Sequence, residues 1–149
     1  MKKSFFLMLA IVFSATIAVA AKAATTPRDF VLKTFHKDFV GVSNTNWSED
    51  ADYYYVSFQL NGEPVRAVYT KTEADFVGYA RFTIADRLPL LARNILKNNF
   101  DGYTVTGKVL EIGYETSVAY EFTAENEKEI LHLRLQDGNI NVIKRLRKI

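Results

Sequence analysis

Tyr53, Tyr55, Arg66, Tyr79 and Arg81 are the residues of this chain whose types and spacing best suit them to a task. Tyrosine and arginine join a wide, flat contact area to a polar end, and they concentrate at the hot spots of protein interfaces for that reason. The chemistry on offer is recognition of a protein or peptide partner by stacking, hydrogen bonding and charge. A second account of the same residues is that they are ordinary cross-strand pairs, Tyr beside Arg, which stabilise a half-exposed sheet.

Other chemistry has weaker candidates. The histidines are His36 and His132, there is no cysteine, and no His-x-x-x-His occurs, so neither a metal site nor a cofactor is expected. Ser43, Ser48, Ser57 and Ser117 lie outside any Gly-x-Ser-x-Gly context. The carboxylate groups Glu49-Asp50-Ala51-Asp52 and Glu125, Glu127, Glu129 fall at turns, where acids are normally solvated. The acidic loop after Trp47 offers weak calcium ligands at most, because Asp50-Ala51-Asp52 lacks the Gly and the distal Glu of an EF-hand. No catalytic residue is expected, and the chain reads as a non-enzyme.

Two alternating meanders must position the Tyr and Arg side chains. Tyr53 to Leu60 alternates, Asn61-Gly62 is a hairpin turn, and Val65 to Thr70 alternates again, followed by Phe76 to Thr83. If Tyr54, Val56, Phe58, Ala67 and Tyr69 point inward, then Tyr53, Tyr55, Ser57, Gln59, Arg66, Val68 and Thr70 point away. Continuing the inner set through Phe76, Gly78 and Ala80 leaves Val77, Tyr79 and Arg81 outside. On that register all five candidates share one open face. Later strands are expected over Tyr103 to Tyr114, Ser117 to Ala124, Glu129 to Gln136 and Asn139 to Leu146, with Asp137-Gly138 as the last hairpin.

A helix is expected before each meander. Thr26-Pro27-Arg28-Asp29 reads as a start, and Val31, Phe35 and Phe39 mark a buried stripe with Leu32 beside it. The second helix begins at Leu88-Pro89, runs through Leu91, Ala92, Ile95 and Leu96 with Leu91 and Ile95 expected to carry its burial, and ends near Asn99, Phe100 and Gly102. The repeated order predicts two tandem repeats, about 27–84 and 85–149, within one domain spanning 24–149. A shift of 64 residues lays Phe58 on Phe122, Glu63 on Glu127 and Arg81 on Arg145.

Met1-Lys2-Lys3, the apolar run Ser4 to Ala20 and the small-x-small pattern Ala18-Val19-Ala20 predict a signal peptide over 1–20, with a second cleavage site after Ala23. The precursor has 19 Lys+Arg against 17 Asp+Glu; losing Lys2 and Lys3 leaves 17 of each, and losing Lys22 as well leaves 16 against 17. A balanced mature chain does not favour nucleic acid. The basic cluster Lys144-Arg145-Leu146-Arg147-Lys148 reads as a solvated edge strand. Without cysteine there are no disulfides and no lipidation site, so the expected product is periplasmic or secreted, without stable membrane insertion.

Phe39, Trp47, Tyr54-x-Val56-x-Phe58, Gly62, Ala67-x-Tyr69, Leu88-Pro89, Ile95, Phe100, Tyr120-x-Phe122 and Asp137-Gly138-x-Ile140 resemble the β-lactamase-inhibitor-like, PepSY-like family. Its members are small exported proteins found mainly in Bacteroidetes. The resemblance spans about Phe35 to Lys144 and rests on order and spacing. It implies an α+β fold in which two helix-plus-antiparallel-meander repeats form an open sheet with helices on one face, similar to the β-lactamase inhibitory protein. It implies no established activity. The chain departs from the family at Lys71 to Asp75, where a Gly-containing turn is common, and in lacking the inhibitory protein's disulfides.

The function expected is non-catalytic binding of a protein or peptide outside the cytoplasm, as an inhibitor or modulator of a secreted or periplasmic enzyme. The alternatives are an envelope structural or stress protein without a defined partner, and a hydrolase of unfamiliar design.

Overall fold

Ten-residue helices are marginal in water, so each helix here exists by virtue of what it docks against. In the computed structural model, which describes residues 25–149, helix α1 spans Asp29–Asp38 and buries Val31 and Phe35 completely. The expected signal segment lies outside the described residues. Phe35 is the hub of an aromatic cluster, with ring centroids 5.5 Å from Phe39, 5.3 Å from Trp47 and 5.2 Å from Phe58. The helix begins two residues later than Thr26-Pro27 suggests: Arg28 holds the N-cap position without a side-chain cap, and its carbonyl accepts from Val31 and Leu32.

Eight strands follow the order β1-β2-β3-β4-β5-β6-β7-β8 in one antiparallel sheet. The first four are β1 (Asn46–Glu49), β2 (Tyr53–Leu60), β3 (Glu63–Thr70) and β4 (Phe76–Thr83). After a 3-10 turn at Ala85–Arg87 and helix α2 (Leu90–Asn99) come β5 (Thr104–Gly113), β6 (Val118–Glu125), β7 (Glu129–Gln136) and β8 (Asn139–Arg147). A helix followed by four strands thus occurs twice. Strand β1, carrying Trp47, is too short to show an alternating period and was not expected from the sequence.

Two hairpins have the chemistry their sequences announce. Asn61-Gly62 and Asp137-Gly138 both place two successive residues at positive φ, with φ 53° and 80° in the first and 50° and 77° in the second. That geometry matches the right-handed twist of the flanking strands. The glycine-free connection 71–75 is closed by Thr70 N–H to Asp75 O at 3.0 Å and Asp75 N–H to Thr70 Oγ1 at 2.9 Å. Ala74 takes the left-handed conformation, φ 58°, that a glycine would accept more readily.

Both helices lie on the same face. On the α1 side Tyr54, Val56, Phe58, Val65, Ala67 and Tyr69 form the core; on the α2 side Leu88 and Ala92 pack with Val109, Phe122, Leu131, Leu133 and Leu135. Register carries that face across the middle through Ala67↔Tyr79, Tyr79↔Gly113 and Thr83↔Val109. The buried stripe of α2 differs from the expected one: Leu91 is 52% exposed, and Ala92 is the helix residue that is fully buried.

Candidate functional site

The opposite face is built by the alternate residues. Tyr53↔Thr70, Tyr55↔Val68 and Ser57↔Arg66 pair across β2 and β3, and the face continues through Arg66↔Ala80, Ala80↔Ile112 and Ile112↔Ala119. Beyond these, Glu121↔Arg134 and Thr123↔His132 complete it. Its centre is a floor of Val68, Ala80, Ile112 and Ala119, with Tyr55 and Tyr114 packed into the same cluster and Tyr53, Val77 and Leu110 against it. Val68, Ile112 and Ala119 are fully buried.

At one side of the floor, the Tyr55 hydroxyl donates to Asp50 Oδ2 at 2.5 Å, and the Arg66 guanidinium sits 4.7 Å from the Tyr55 ring centroid. Asp50 is held by its own turn, where Oδ1 accepts from Asp52 N at 3.0 Å and from Tyr53 N at 2.9 Å. Burial, followed by the bond to Asp50, pushes the Tyr55 phenol well above the usual tyrosine range. Tyr55 therefore stays a neutral donor at any physiological pH.

A second Tyr-Arg group flanks the floor from β5 to β7. Arg134 donates through Nη1 to Glu121 Oε1 at 2.8 Å, through Nη2 to the Tyr114 hydroxyl at 3.2 Å and through Nε to Gln136 Oε1 at 3.0 Å. Glu121 and Arg134 were legible in principle. The alternations Tyr120-x-Phe122 and Leu131-x-Leu133 already place them opposite the helices. Tyr114 was not, because β5 carries a register shift between Thr106 and Leu110 that cannot be read from spacing.

The expected five-residue face is corrected at two positions. Val68 pairs with Gly78 but Tyr69 pairs with Phe76, so Val77 is an extra residue in β4. One inserted residue reverses the parity of everything after it. Tyr53, Tyr55 and Arg66 stay together on the outer face, whereas Tyr79 and Arg81 turn to the helix-bearing face and Gly78 and Ala80 turn away from it.

There Tyr79 and Arg81 enclose a buried acid. The Tyr79 hydroxyl donates to Glu111 Oε1 at 2.8 Å, and Arg81 donates through Nε to Oε1 at 2.9 Å and through Nη2 to Oε2 at 3.2 Å. Glu63 bridges outward, 3.6 Å from Arg81 Nη1 and 2.6 Å from Arg87 Nη1. This chain of charges joins β3, β4, β5 and the 3-10 turn where the two helix-plus-strand units meet. A bidentate pair of this kind fixes geometry as well as adding energy.

The seam predicts a pH dependence. Burial, then the hydrogen bond and charge of Glu111, push the Tyr79 phenol from 10.0 up to about 12. A raised folded-state value means the stabilising contribution is complete below pH 10 and is lost as pH climbs from 10 toward 12. Urea unfolding across that window should show stability falling more steeply in the native chain than in Tyr79→Phe, which lacks the ionisable group. Parallel slopes would remove Tyr79 from the account.

Five of the other polar candidates have structural partners. Glu49 pairs with Lys71 at 2.8 Å, Glu125 with Lys148 at 3.0 Å, and Glu129 with Arg145 at 2.8 Å while accepting from the Tyr103 hydroxyl. His36 stands edge-on to Phe35 at 5.3 Å, and His132 Nδ1 lies 3.5 Å from Thr123 Oγ1. Among the described residues, no three His, Asp or Glu side chains converge in a way that could hold a metal ion. Among those residues, too, no helix is long and apolar enough to cross a membrane.

No protein-family model matches the chain, and no curated protein matches it. Solved structures do. A DUF2874 family protein from Bacteroides ovatus superposes with a TM-score of 0.63 at 18% identity, covering 83% of this chain and 89% of that one. A BLIP-like protein, that is, one like the β-lactamase inhibitory protein, from Bacteroides fragilis gives 0.63 at 16% identity over 84% and 89%. A protein provisionally described as periplasmic from Bacteroides eggerthii gives 0.62 at 18% identity over 83% and 90%. At these identities the likeness establishes the fold: an open antiparallel sheet carrying two helices, as the family resemblance implied.

Proposed function

We propose that this chain is a non-catalytic binding protein of the periplasm or the extracellular space, which engages a protein or peptide through the outer face of its sheet. The observation that carries this reading is the pairing of Tyr53, Tyr55 and Arg66 on one side of an apolar floor with Tyr114 and Arg134 on the other. The floor, Tyr55 and Tyr114 are buried within the chain and hold the group rigid, while the half-buried Tyr53, Arg66 and Arg134 would meet a partner, and their residue types are those enriched at binding hot spots. The concrete form is an inhibitor or modulator of a secreted or periplasmic enzyme, consistent with the BLIP-like fold of the Bacteroides fragilis neighbour.

A second reading, an envelope structural protein without a defined partner, draws on a different observation. Arg66 already lies over Tyr55 and Arg134 already pairs with Glu121, so the face satisfies part of its own bonding capacity.

The test is crosslinking of the mature protein in native envelope extract, identification of what is captured, and direct titration of each purified species. Tyr53→Ala with Arg66→Glu should abolish capture and direct binding while changing stability by less than about 1 kcal/mol, since both side chains are only partly buried. Undiminished binding by that double variant would sink the assignment of the face. A native chain that captures nothing would favour the structural reading.

A further inference from the structure

The sheet has two edges, and they are built differently. Strand β1 offers four residues, and its Trp47 carbonyl already accepts from Thr25 N at 3.2 Å. Strand β8 offers nine, all exposed except the half-buried Ile140, with no proline among them. No described element pairs with its outer side. About half of its backbone N–H and C=O groups therefore point away from β7 as a template for another strand, in two runs, Asn139–Val142 and Lys144–Arg147, on either side of the bulge at Ile143.

Charge defines what would fill it. Asn139–Arg147 contains no acid, and Lys144, Arg145, Arg147 and the adjoining Lys148 stand together at its end. Arg145 pairs with Glu129 and Lys148 with Glu125, but Lys144 and Arg147 form no ion pair among the described residues. Register distributes the cations over both faces: Arg145 and Arg147 oppose Leu131 and Glu129 on the helix side, and Lys144 opposes His132 on the other. Val142, Ile143 and Leu146 lie exposed among them.

Pairing of two copies along β8 would bring two cationic runs to one interface with no acid in either strand to answer them, and surplus charge of one sign on an edge disfavours self-association. An acidic strand meets the opposite situation. Its backbone completes the ladder while its carboxylates alternate onto Lys144 on one face and Arg145 and Arg147 on the other.

We propose that β8 is a second docking site, distinct from the outer face, and that it accepts an extended acidic segment of a partner protein by strand addition. A nine-residue peptide of three Glu-Glu-Thr repeats, whose adjacent glutamates fall on opposite faces of an extended strand, is the probe, titrated into the isotope-labelled protein. The expected result is amide shifts and slowed hydrogen exchange confined to Asn139–Arg147 and the strand beside it. Lys144→Glu with Arg147→Glu should weaken binding roughly tenfold without unfolding the chain, both side chains being exposed. The same peptide with N-methylated backbone amides should no longer bind, because the ladder needs its donors.

Equal binding by the N-methylated peptide would reduce the effect to surface charge and overturn the proposal. So would shifts centred on Tyr55 and Arg66, or no shift at all. A concentration-dependent dimer that protects β8 in sedimentation and exchange experiments would instead assign the edge to a second copy, and would overturn it equally.

Discussion

Phe35→Ala is expected to cost about 3–5 kcal/mol, close to the whole stability of a marginal domain of this size. The ring is fully buried where α1 meets the sheet, and it touches rings from the helix itself, from β1, from β2 and, 6.3 Å away, Tyr69 of β3. No neighbouring chain can collapse into the space without undoing several edge-to-face contacts at once. Because α1 cannot persist undocked, its amides should lose exchange protection ahead of the strands. Calorimetry should show a melting temperature lower by roughly 10–20 °C. Phe30→Ala, on the same helix but 38% exposed, serves as the control and should cost under about 1 kcal/mol. A Phe35→Ala penalty no larger than that of Phe30→Ala would show that the helix is not held by this cluster.

Gly113→Ala should cost about 2–4 kcal/mol, a large effect for one methyl group. A Cβ at this position would lie 2.1 Å from Cε1 and 2.5 Å from Cζ of Tyr79, whose ring crosses the Gly113 backbone on the helix-bearing face. The ring cannot simply swing away, because its hydroxyl is bonded to the nearly buried Glu111, which also anchors Arg81. Relieving the overlap therefore breaks a bond at the seam between the two halves. In a Tyr79→Ala background the obstacle is gone, and the same substitution should cost less than about 1 kcal/mol. Denaturant melts of the four chains give the coupling directly. Additive penalties would mean that the seam yields elsewhere and that Tyr79 does not gate position 113.

Most of the architecture was legible because it depends on local periods. Val31 and Phe35 mark the α1 stripe by four-residue spacing; Tyr54-x-Val56-x-Phe58 and Leu131-x-Leu133 mark strands by alternation; Asn61-Gly62 and Asp137-Gly138 mark turns by backbone conformation. Leu91 shows where this fails. Its position suits a buried stripe, but α2 is rotated so that Ala92 meets the sheet, with Leu96 partly buried beside it. Helix rotation is settled by packing against the partner surface, and a small residue that allows close approach can win over a large one.

The candidate site divides along the same line. Tyr53, Tyr55 and Arg66 fall where uninterrupted alternation puts them, before the first bulge in the ladder. Tyr79 and Arg81 come after it. A β-bulge is one extra residue opposite a strand that lacks it, so it exists only in the pairing of two segments and has no signature in either alone.

The sequence by itself determined the type and order of the elements apart from the short β1, the absence of disulfides and the choice of tyrosine and arginine at the alternating positions, since each follows from side-chain chemistry read over a few neighbouring residues. Which tyrosines and arginines share a surface was decided only by tertiary structure. Register shifts between β3 and β4, and between β5 and β6, sent Tyr79 and Arg81 to the seam with Glu111 and left the outer face to Tyr53, Tyr55, Arg66, Tyr114 and Arg134.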